Sequence, residues 1–354
     1  MYLLRSKLFL LSFFCFLASY SQERNDILLQ DKFRSDLAIY EQFETEHRRY
    51  VDTKNIKLSY LEWGDTSTTQ QVFVWLHGSL SNAYEFMPFA QDLVDNKYRV
   101  IAIDQYNAGK TGVPIFDASF DDLCSDIKFL LDHLHIKQAV IGGFSRGGFL
   151  ATNFYKLYPG YVDALILEDG GSVDFDHSYL NLDSVHLRQK LQLVNVPMDI
   201  KEKYFGYHYN KFEAYKSLYD PDETGSQFQI LSYIKPKDSL WITYVGQPEY
   251  YHMQDSLHMS EVLFGSPKVS KYAASIVNVR PAKIFKNLSV PVLIMDARSV
   301  NDPIPICEAN SALAVQHPDL IVHQIFDDIA HNIHYAAPRN FLKAIIDFLR
   351  LYQR

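Results

Sequence analysis

A serine framed by glycines is the first feature of this chain that suggests covalent chemistry. The run at 142–148 reads GGFSRGG, so Ser145 has a glycine two positions away on either side. Apolar residues at 138–141 predict a short buried strand before it, and the apolar-rich segment 149–158 predicts a helix after it. Glycine tolerates the strained backbone that exposes a nucleophile on such a strand-to-helix turn. The pattern predicts a nucleophilic serine; a tight turn with a spectator serine is the alternative.

An acid and a histidine that could activate Ser145 lie in the C-terminal third. A serine hydroxyl is a weak nucleophile near neutral pH and needs a histidine base that an acid orients. Asp302 follows an apolar strand predicted at 291–295, and His331 follows a second apolar stretch at 320–326. The order Ser, Asp, His, with each residue after a strand, predicts a catalytic triad at one edge of a sheet.

Motifs at the ends of several predicted strands follow the pattern of one family. These landmarks are His77-Gly78, Asp104 with Gly109 and Thr111, the serine turn, Asp302-Pro303 and Ala330-His331. Taken together, they resemble the cap-bearing serine hydrolases of the α/β-hydrolase superfamily, of the AB hydrolase-1 type. The resemblance extends over most of the chain.

The resemblance implies which of the 13 histidines is the base. Ala330-His331 matches the base position of the family, whereas His334 falls in the segment that closes the site. We therefore expect His331 to be the base.

The resemblance also implies the acid. Asp302, with the proline that follows it, matches the acid loop of the family, although this loop is about two residues longer here than the family pattern. Asp169, which closes the strand predicted at 164–168, and Asp296, which ends the strand before Asp302, stay open as alternatives.

An oxyanion hole completes what the resemblance implies. The backbone N–H groups of Ser79, which follows His77-Gly78, and of Arg146, which follows the nucleophile, are expected to stabilise the oxyanion. For the Arg146 side chain we favour a salt bridge at the rim of the site, with Asp169 as the candidate partner, over a substrate contact.

The alternation of predicted strands and helices indicates an α/β-hydrolase fold. We expect a mostly parallel eight-stranded sheet with helices on both faces, an antiparallel start, and a solvated amphipathic lead-in helix at 22–46. The strands are predicted at 49–53, 57–63, 71–76, 98–103, 138–142, 162–168, 291–296 and 320–326, and the helices near 84–94, 119–134, 146–158, 305–316 and 338–352.

An insertion interrupts this alternation. Residues 172–285 are predicted to form a mainly helical cap between two parts of the core, 22–171 and 286–354. The insertion is rich in aromatic residues, and an insertion at this place in the fold covers the nucleophile. Three of them, Tyr207, Tyr209 and Trp241, are expected to line the substrate pocket; the alternative is that these rings form the core of the cap itself.

The N-terminus predicts the compartment. Residues 1–21 are typical of a bacterial secretory signal peptide, with Arg5 and Lys7 before an apolar stretch at 8–17 and small residues before Gln22. The stretch is too short to span a bilayer comfortably. We expect a periplasmic or secreted protein without a stable membrane anchor.

Composition and missing motifs narrow the partners and cofactors. The formal net charge is −8 and no basic stripe is present, which argues against nucleic acid as a partner. The sequence has no metal-binding spacing of cysteines or histidines and no phosphate-binding loop, so we expect no metal and no cofactor. Beyond the leader only Cys124 and Cys307 remain, which excludes a disulfide scaffold, and Cys124 is expected to be a buried thiol.

The chemistry that these residues favour is acyl transfer. We expect a serine hydrolase that cleaves an ester-type bond of a small-molecule acyl substrate through an acyl-enzyme intermediate. A peptidase of the proline-iminopeptidase kind, a thioesterase, a lactonase or a carbon–carbon hydrolase would use the same residues. A non-catalytic binding protein on a hydrolase fold is the alternative of another class.

Overall fold

A computed structural model describes residues 26–66, 71–180, 182–300 and 305–352, except for the side chain at 245. The chain divides into two compact units. One contains the chain up to Glu46 together with Glu202–Thr243, and the other contains His47–Lys201 and the chain from Tyr244 onward. The predicted signal peptide and Asp302 lie outside the described residues.

The strands alternate with helices through most of the chain. The strands are β1 Arg48–Asp52, β2 Lys57–Trp63, β3 Gln71–Leu76, β4 Tyr98–Ile103, β5 Ala139–Phe144, β6 Val162–Glu168, β7 Tyr207–His208, β8 Ile234–Lys237, β9 Leu240–Thr243, β10 Val292–Arg298 and β11 Ile321–Asp327. The helices are α1 at 26–47, α2 Met87–Asp95, α3 Phe120–His133, α4 Arg146–Leu157, α5 His177–Leu180, α6 Ser184–Gln192, α7 Met198–Tyr204, α8 Lys211–Leu218, α9 Gln247–Tyr250, α10 Ser256–Leu263, α11 Lys271–Asn278, α12 Pro281–Ile284, α13 Cys307–Gln316, α14 Ile333–Ala336 and α15 Pro338–Tyr352.

An eight-stranded sheet forms the larger unit and confirms the predicted fold. Its strand order among the described residues is β1-β2-β4-β3-β5-β6-β10-β11. β2 pairs antiparallel with β1 and with β4, and the remaining pairings are parallel. Because β5 and β6 are neighbours and run parallel, the residues that follow them meet at one edge of the sheet.

The central strands are continuous apolar runs because both of their faces are covered. Every residue of β4 and β5 is buried. On one flank, α15 buries Phe341, Ile345 and Phe348, which recur at helical spacing. No helix among the described residues is both long and apolar enough to cross a bilayer.

The smaller unit joins the lead-in helix to part of the predicted cap. α1 is the amphipathic helix expected from the sequence, since most of its residues are exposed or half-buried. Its other face packs within this unit, where Phe33 contacts Phe212 and Tyr215 with ring centroids 5.5 and 5.2 Å away. A three-stranded sheet in the order β7-β9-β8 completes this unit. The remainder of the insertion, 172–201 and 244–285, belongs to the larger unit, and the predicted cap boundaries stay a prediction.

Candidate active site

Ser145 sits on a strained turn between β5 and α4. Its φ is 49° and its ψ is −116°, a conformation that costs a non-glycine residue free energy. The Ser145 N–H donates to the Glu168 carbonyl oxygen at 2.8 Å, which ties the turn to β6. A Cβ atom on Gly147 would lie 1.8 Å from the Leu76 carbonyl oxygen, so the turn needs glycine at that position. This geometry is a nucleophile elbow.

The chain after β6 packs directly on the elbow. A Cβ on Gly148 would lie 2.2 Å from the Gly170 carbonyl oxygen, and one on Gly170 would lie 2.6 Å from the Ser145 carbonyl oxygen. This absence of side chains brings Asp169, the residue before Gly170, to the same edge of the sheet as Ser145.

The carboxylate that contacts His331 belongs to Asp169. Asp169 Oδ2 lies 2.5 Å from His331 Nδ1, and the Asp169 side chain is fully buried. The Asp169 N–H donates to the Met295 carbonyl oxygen at 2.9 Å, which fixes the residue against β10. Of the candidate acids that the structure describes, Asp169 contacts His331 and Asp296 contacts His323. Asp302 lies outside the described residues, so its assignment as the acid stays a prediction.

The histidine is also positioned against the elbow. The ring of His331 packs on Phe144, the residue before Ser145, with centroids 4.7 Å apart. Ser145 and His331 are both partly exposed, whereas Asp169 is not. Ser145, His331 and Asp169 thus lie on three adjoining segments, and Asp169 is the buried member of the three.

Side-chain hydrogen bonds hold the loop after β3, in which the oxyanion hole is predicted. The Gly78 N–H donates to both carboxylate oxygens of Glu85, at 3.1 and 3.2 Å. His77 Nε2 accepts from the Gln105 N–H at 3.1 Å, while Nδ1 donates to the Gly78 carbonyl oxygen at 2.7 Å. His77 is fully buried, and burial lowers its pKa, so the imidazole is neutral and shapes the loop. Ser79 follows this loop at the surface of the site.

Comparisons with known proteins agree with this fold. A model of the α/β hydrolase fold family matches residues 71–210. The chain has the α/β-hydrolase fold. The fold is shared with the crystal structure of E-2-(acetamidomethylene)succinate hydrolase, at a TM-score of 0.59 and 21% identity over 86% of this chain and 98% of that one.

Two curated relatives match the chain over shorter segments. It is 31% identical over 120 residues to epoxide hydrolase 1 of Caenorhabditis elegans, which is 33% of this chain and 29% of the relative. It is 31% identical over 135 residues to the sn-1-specific diacylglycerol lipase ABHD11 of Danio rerio, which is 36% of this chain and 39% of the relative. The chain therefore spans about a third of the length of these curated relatives.

The Arg146 side chain is not at the rim of the site, and the predicted salt bridge with Asp169 is wrong. Arg146 is only 1% exposed, and its Nε donates to Ser79 Oγ at 3.1 Å. Asp169 contacts His331 instead. Asp169 follows β6 whereas Arg146 begins α4, and the two side chains therefore reach different partners.

A second histidine–carboxylate pair, which sequence reasoning missed, lies beneath the first. His334 Nδ1 is 2.8 and 2.9 Å from the two carboxylate oxygens of Glu168, and both residues are buried. The His334 ring packs edge-on against Phe144 with centroids 4.9 Å apart. The spacing could have predicted this second pair, because two consecutive acids, Glu168 and Asp169, contact two histidines that are three residues apart.

Asp296, the third candidate acid, is engaged elsewhere. Its carboxylate contacts His323 Nε2 at 2.7 Å and accepts from Asn310 Nδ2 at 2.8 and 2.9 Å. Cys307 lies close enough that it, Asp296 and His323 could approach one cation, a grouping that the sequence did not suggest. Two ligands of one zinc ion stand roughly 3.3 Å apart. The distance of 2.7 Å from His323 Nε2 to Asp296 Oδ2 is shorter than that, so the two groups form a direct hydrogen bond rather than a spaced ligand pair.

The three rings predicted to line the pocket belong to the smaller unit. Tyr207 lies in β7, Trp241 in β9 and Tyr209 just after β7. Tyr207 and Tyr209 are 55% and 88% exposed, so these two rings are not the core of that unit. Their role in substrate binding stays a prediction.

The thiol prediction is confirmed for Cys124. It is buried, does not form a disulfide with Cys307, and burial raises the pKa of its thiol. Such a thiol is a packing group rather than a nucleophile.

Proposed function

We propose that this chain is a serine hydrolase that cleaves ester-type acyl bonds through Ser145, His331 and Asp169. The observation that carries the proposal is the 2.5 Å contact between His331 Nδ1 and Asp169 Oδ2 beside the strained serine turn. With Nδ1 engaged by the acid, Nε2 is the ring nitrogen that can accept the serine proton.

The reaction would proceed in two balanced steps. Ser145 Oγ attacks the acyl carbon while His331 Nε2 takes its proton, and the backbone N–H groups of Ser79 and Arg146 stabilise the oxyanion. The imidazolium then protonates the leaving alcohol, and the acyl-enzyme remains. Water attacks the acyl group with the same histidine as base, which releases the acid and restores the serine hydroxyl. Asp169 stabilises the imidazolium in both steps.

A serine as the proposed nucleophile favours ester substrates over epoxides. One curated relative is named as an epoxide hydrolase and the other as a lipase. A serine alkoxide forms an acyl ester with a carbonyl substrate, which is lipase and esterase chemistry. Peptide, thioester, lactone and carbon–carbon substrates need the same three residues and are distinguished by assay. A non-catalytic protein would not need the strained elbow together with a paired histidine.

Covalent labelling tests the proposal. A fluorophosphonate should modify Ser145 in the folded protein, located by mass spectrometry, and a panel of ester, thioester and N-terminal proline peptide substrates should show turnover. Ser145→Ala is the matched control and should lose both. Modification at another residue, or none, would refute the proposed nucleophile.

We also propose that the protein is exported, on the strength of its N-terminal sequence. Sequencing the N-terminus of the periplasmic or secreted fraction after expression in a bacterium should give Gln22 or a neighbouring residue. An intact leader in the membrane fraction would show an anchor instead.

A further inference from the structure

The Arg146 guanidinium is a buried cation without an anionic partner among the described residues. Its Nε donates to Ser79 Oγ at 3.1 Å, and its Nη2 contacts the Met253 thioether sulfur at 3.8 Å. Its central carbon lies 4.5 Å from the centroid of the Tyr251 ring and 5.8 Å from that of Phe120. Its Nη1 is buried and donates to nothing.

Such an arrangement is costly if it serves only packing. Removing a charge from water without a counter-ion carries a large desolvation penalty, and an apolar side chain of similar volume fills the same space without that penalty. Burial accordingly lowers the pKa of Arg146. A thioether is among the weakest acceptors in a protein, so the Met253 contact offsets little of the penalty.

The neighbourhood contains a second buried donor without a partner. The Tyr251 hydroxyl makes no hydrogen bond and is buried, and its ring stacks against the guanidinium. Two unpartnered donors, one of them cationic, suit a group with two acceptor oxygens and a negative charge. A guanidinium fork matches a carboxylate in this way.

The location connects this cation to the reacting centre. Arg146 is the residue after the nucleophile, and its side chain reaches the hydroxyl of Ser79 on the oxyanion loop. Among the described residues no carboxylate neutralises this charge, which lies against the predicted oxyanion loop.

We propose that the Arg146 side chain binds a carboxylate of the substrate, so that the preferred substrates are anionic acyl compounds such as monoesters of dicarboxylic acids. This inference rests on the proposed hydrolase function. The carboxylate replaces Met253 as the partner of Nη2 and satisfies Nη1, while Tyr251 donates its hydroxyl. The segment 247–253, held to the Ser81 carbonyl oxygen by Gln247 Nε2 at 2.7 Å, must shift to admit the ligand.

A matched pair of esters tests the inference. Monoethyl succinate and ethyl butyrate share the leaving alcohol and the four-carbon acyl chain, and they differ by a carboxylate in place of a methyl group. The measured quantity is the ratio of kcat/KM for the succinate ester to that for the butyrate ester, because this ratio cancels any loss of folded enzyme.

Arg146→Met should lower this ratio by about 30-fold, the worth of a charged hydrogen-bond pair. Arg146→Lys, which keeps the charge without the fork, should lower it less. Arg280→Met is the control, since Arg280 is paired with Asp174 and Asp176, and it should leave the ratio unchanged. An unchanged ratio in Arg146→Met would overturn the inference and assign the cation to the oxyanion or to packing.

A binding measurement separates this inference from the proposed function. Succinate should raise the Tm of the Ser145→Ala variant, butyrate should not, and the double variant with Arg146→Met should lose the response. Suppose that Ser145 of the wild type is not labelled by fluorophosphonate, yet succinate raises the Tm of Ser145→Ala and not that of the double variant. The hydrolase proposal then fails and the carboxylate site stands. No stabilisation by succinate, with Ser145 labelled normally, would refute the carboxylate site alone.

Discussion

The contact between His331 and Asp169 depends on the order of strands in the sheet rather than on proximity in the chain. Asp169 follows β6, and Ser145 follows β5, which pairs with β6. Asp302 follows β10, one strand further from the nucleophile. The sheet therefore brings Asp169 next to Ser145, although 162 residues separate it from His331.

The acid can be identified by substitution. Asp169→Asn should lower kcat by about 10³- to 10⁴-fold, because the amide no longer holds the productive tautomer or stabilises the imidazolium. Asp302→Asn should change kcat far less. Steady-state kinetics on one ester compare the two variants, and circular dichroism checks their folding. A severe loss in Asp302→Asn with a mild one in Asp169→Asn would restore the acid that the family resemblance implies.

The His334–Glu168 pair should make stability depend on pH. Burial by itself lowers the pKa of His334, but the charge of Glu168 and its hydrogen bond outweigh burial and raise the pKa above 6.5. A raised pKa in the folded state means that the pair contributes fully below the unfolded value and that this contribution is lost as pH rises through the folded value.

Urea unfolding at about pH 5 and about pH 9 measures this contribution. As the pH rises from the lower to the higher value, the free energy of unfolding should fall less in His334→Gln than in the wild type. Glu168→Gln removes the charge that raises the pKa, so burial then lowers the pKa of His334 and the contribution of this histidine should rise, not fall, between the two pH values. We expect this variant to lose about 3 kcal/mol near neutral pH, because the buried histidine loses its counter-charge. Identical pH profiles for wild type and His334→Gln would contradict the assignment.

At the scale of elements, the turn between β5 and α4 depends on close backbone contacts, the closest of them at Gly147. Gly147→Ala places a methyl group 1.8 Å from the Leu76 carbonyl oxygen, and backbone cannot yield as a side chain can. We expect a loss of about 3 kcal/mol in the free energy of unfolding, together with loss of fluorophosphonate labelling. Gly160→Ala is the matched control, because no atom lies within 4 Å of the added methyl group. Equal stability of the two variants would show that the elbow relaxes.

The sequence predicted the core elements because their patterns are local. The eight predicted strands match β1 to β6, β10 and β11 to within two residues, since each is an apolar run bounded by turn residues. The insertion between β6 and β10 was predicted only as mainly helical. Its helices, such as α5 and α9 with four residues each, are too short to show a period.

The site was predictable where a motif is contiguous. Ser145 and the glycines around it are adjacent in sequence, and so are Ala330 and His331. The sequence did not decide which of three acids contacts His331, because strand order and register determine that contact and a local sequence pattern predicts neither. The burial of Arg146 was missed for the same reason: its cover comes from Tyr251 and Met253, more than a hundred residues away.

At the scale of the whole molecule, two segments distant in the chain form one unit. α1 and the segment Glu202–Thr243 are joined through Asp36, which is fully buried. Its carboxylate accepts from the Tyr215 hydroxyl and the Ser226 hydroxyl at 2.7 Å and from the Gln227 N–H at 3.1 Å. A segment of this length could not bury its aromatic residues alone, and α1 supplies the second layer.

Removing that carboxylate should therefore weaken the smaller unit. Asp36→Ala leaves the Tyr215 hydroxyl buried without a partner and should lower the free energy of unfolding by about 2 kcal/mol. Limited proteolysis followed by mass spectrometry should show earlier cleavage within 202–243. Asp31→Ala is the matched control on the same helix, since Asp31 is 64% exposed and pairs only with Arg34, and exposed pairs contribute little. If both variants resist protease like the wild type, α1 does not stabilise this segment through Asp36.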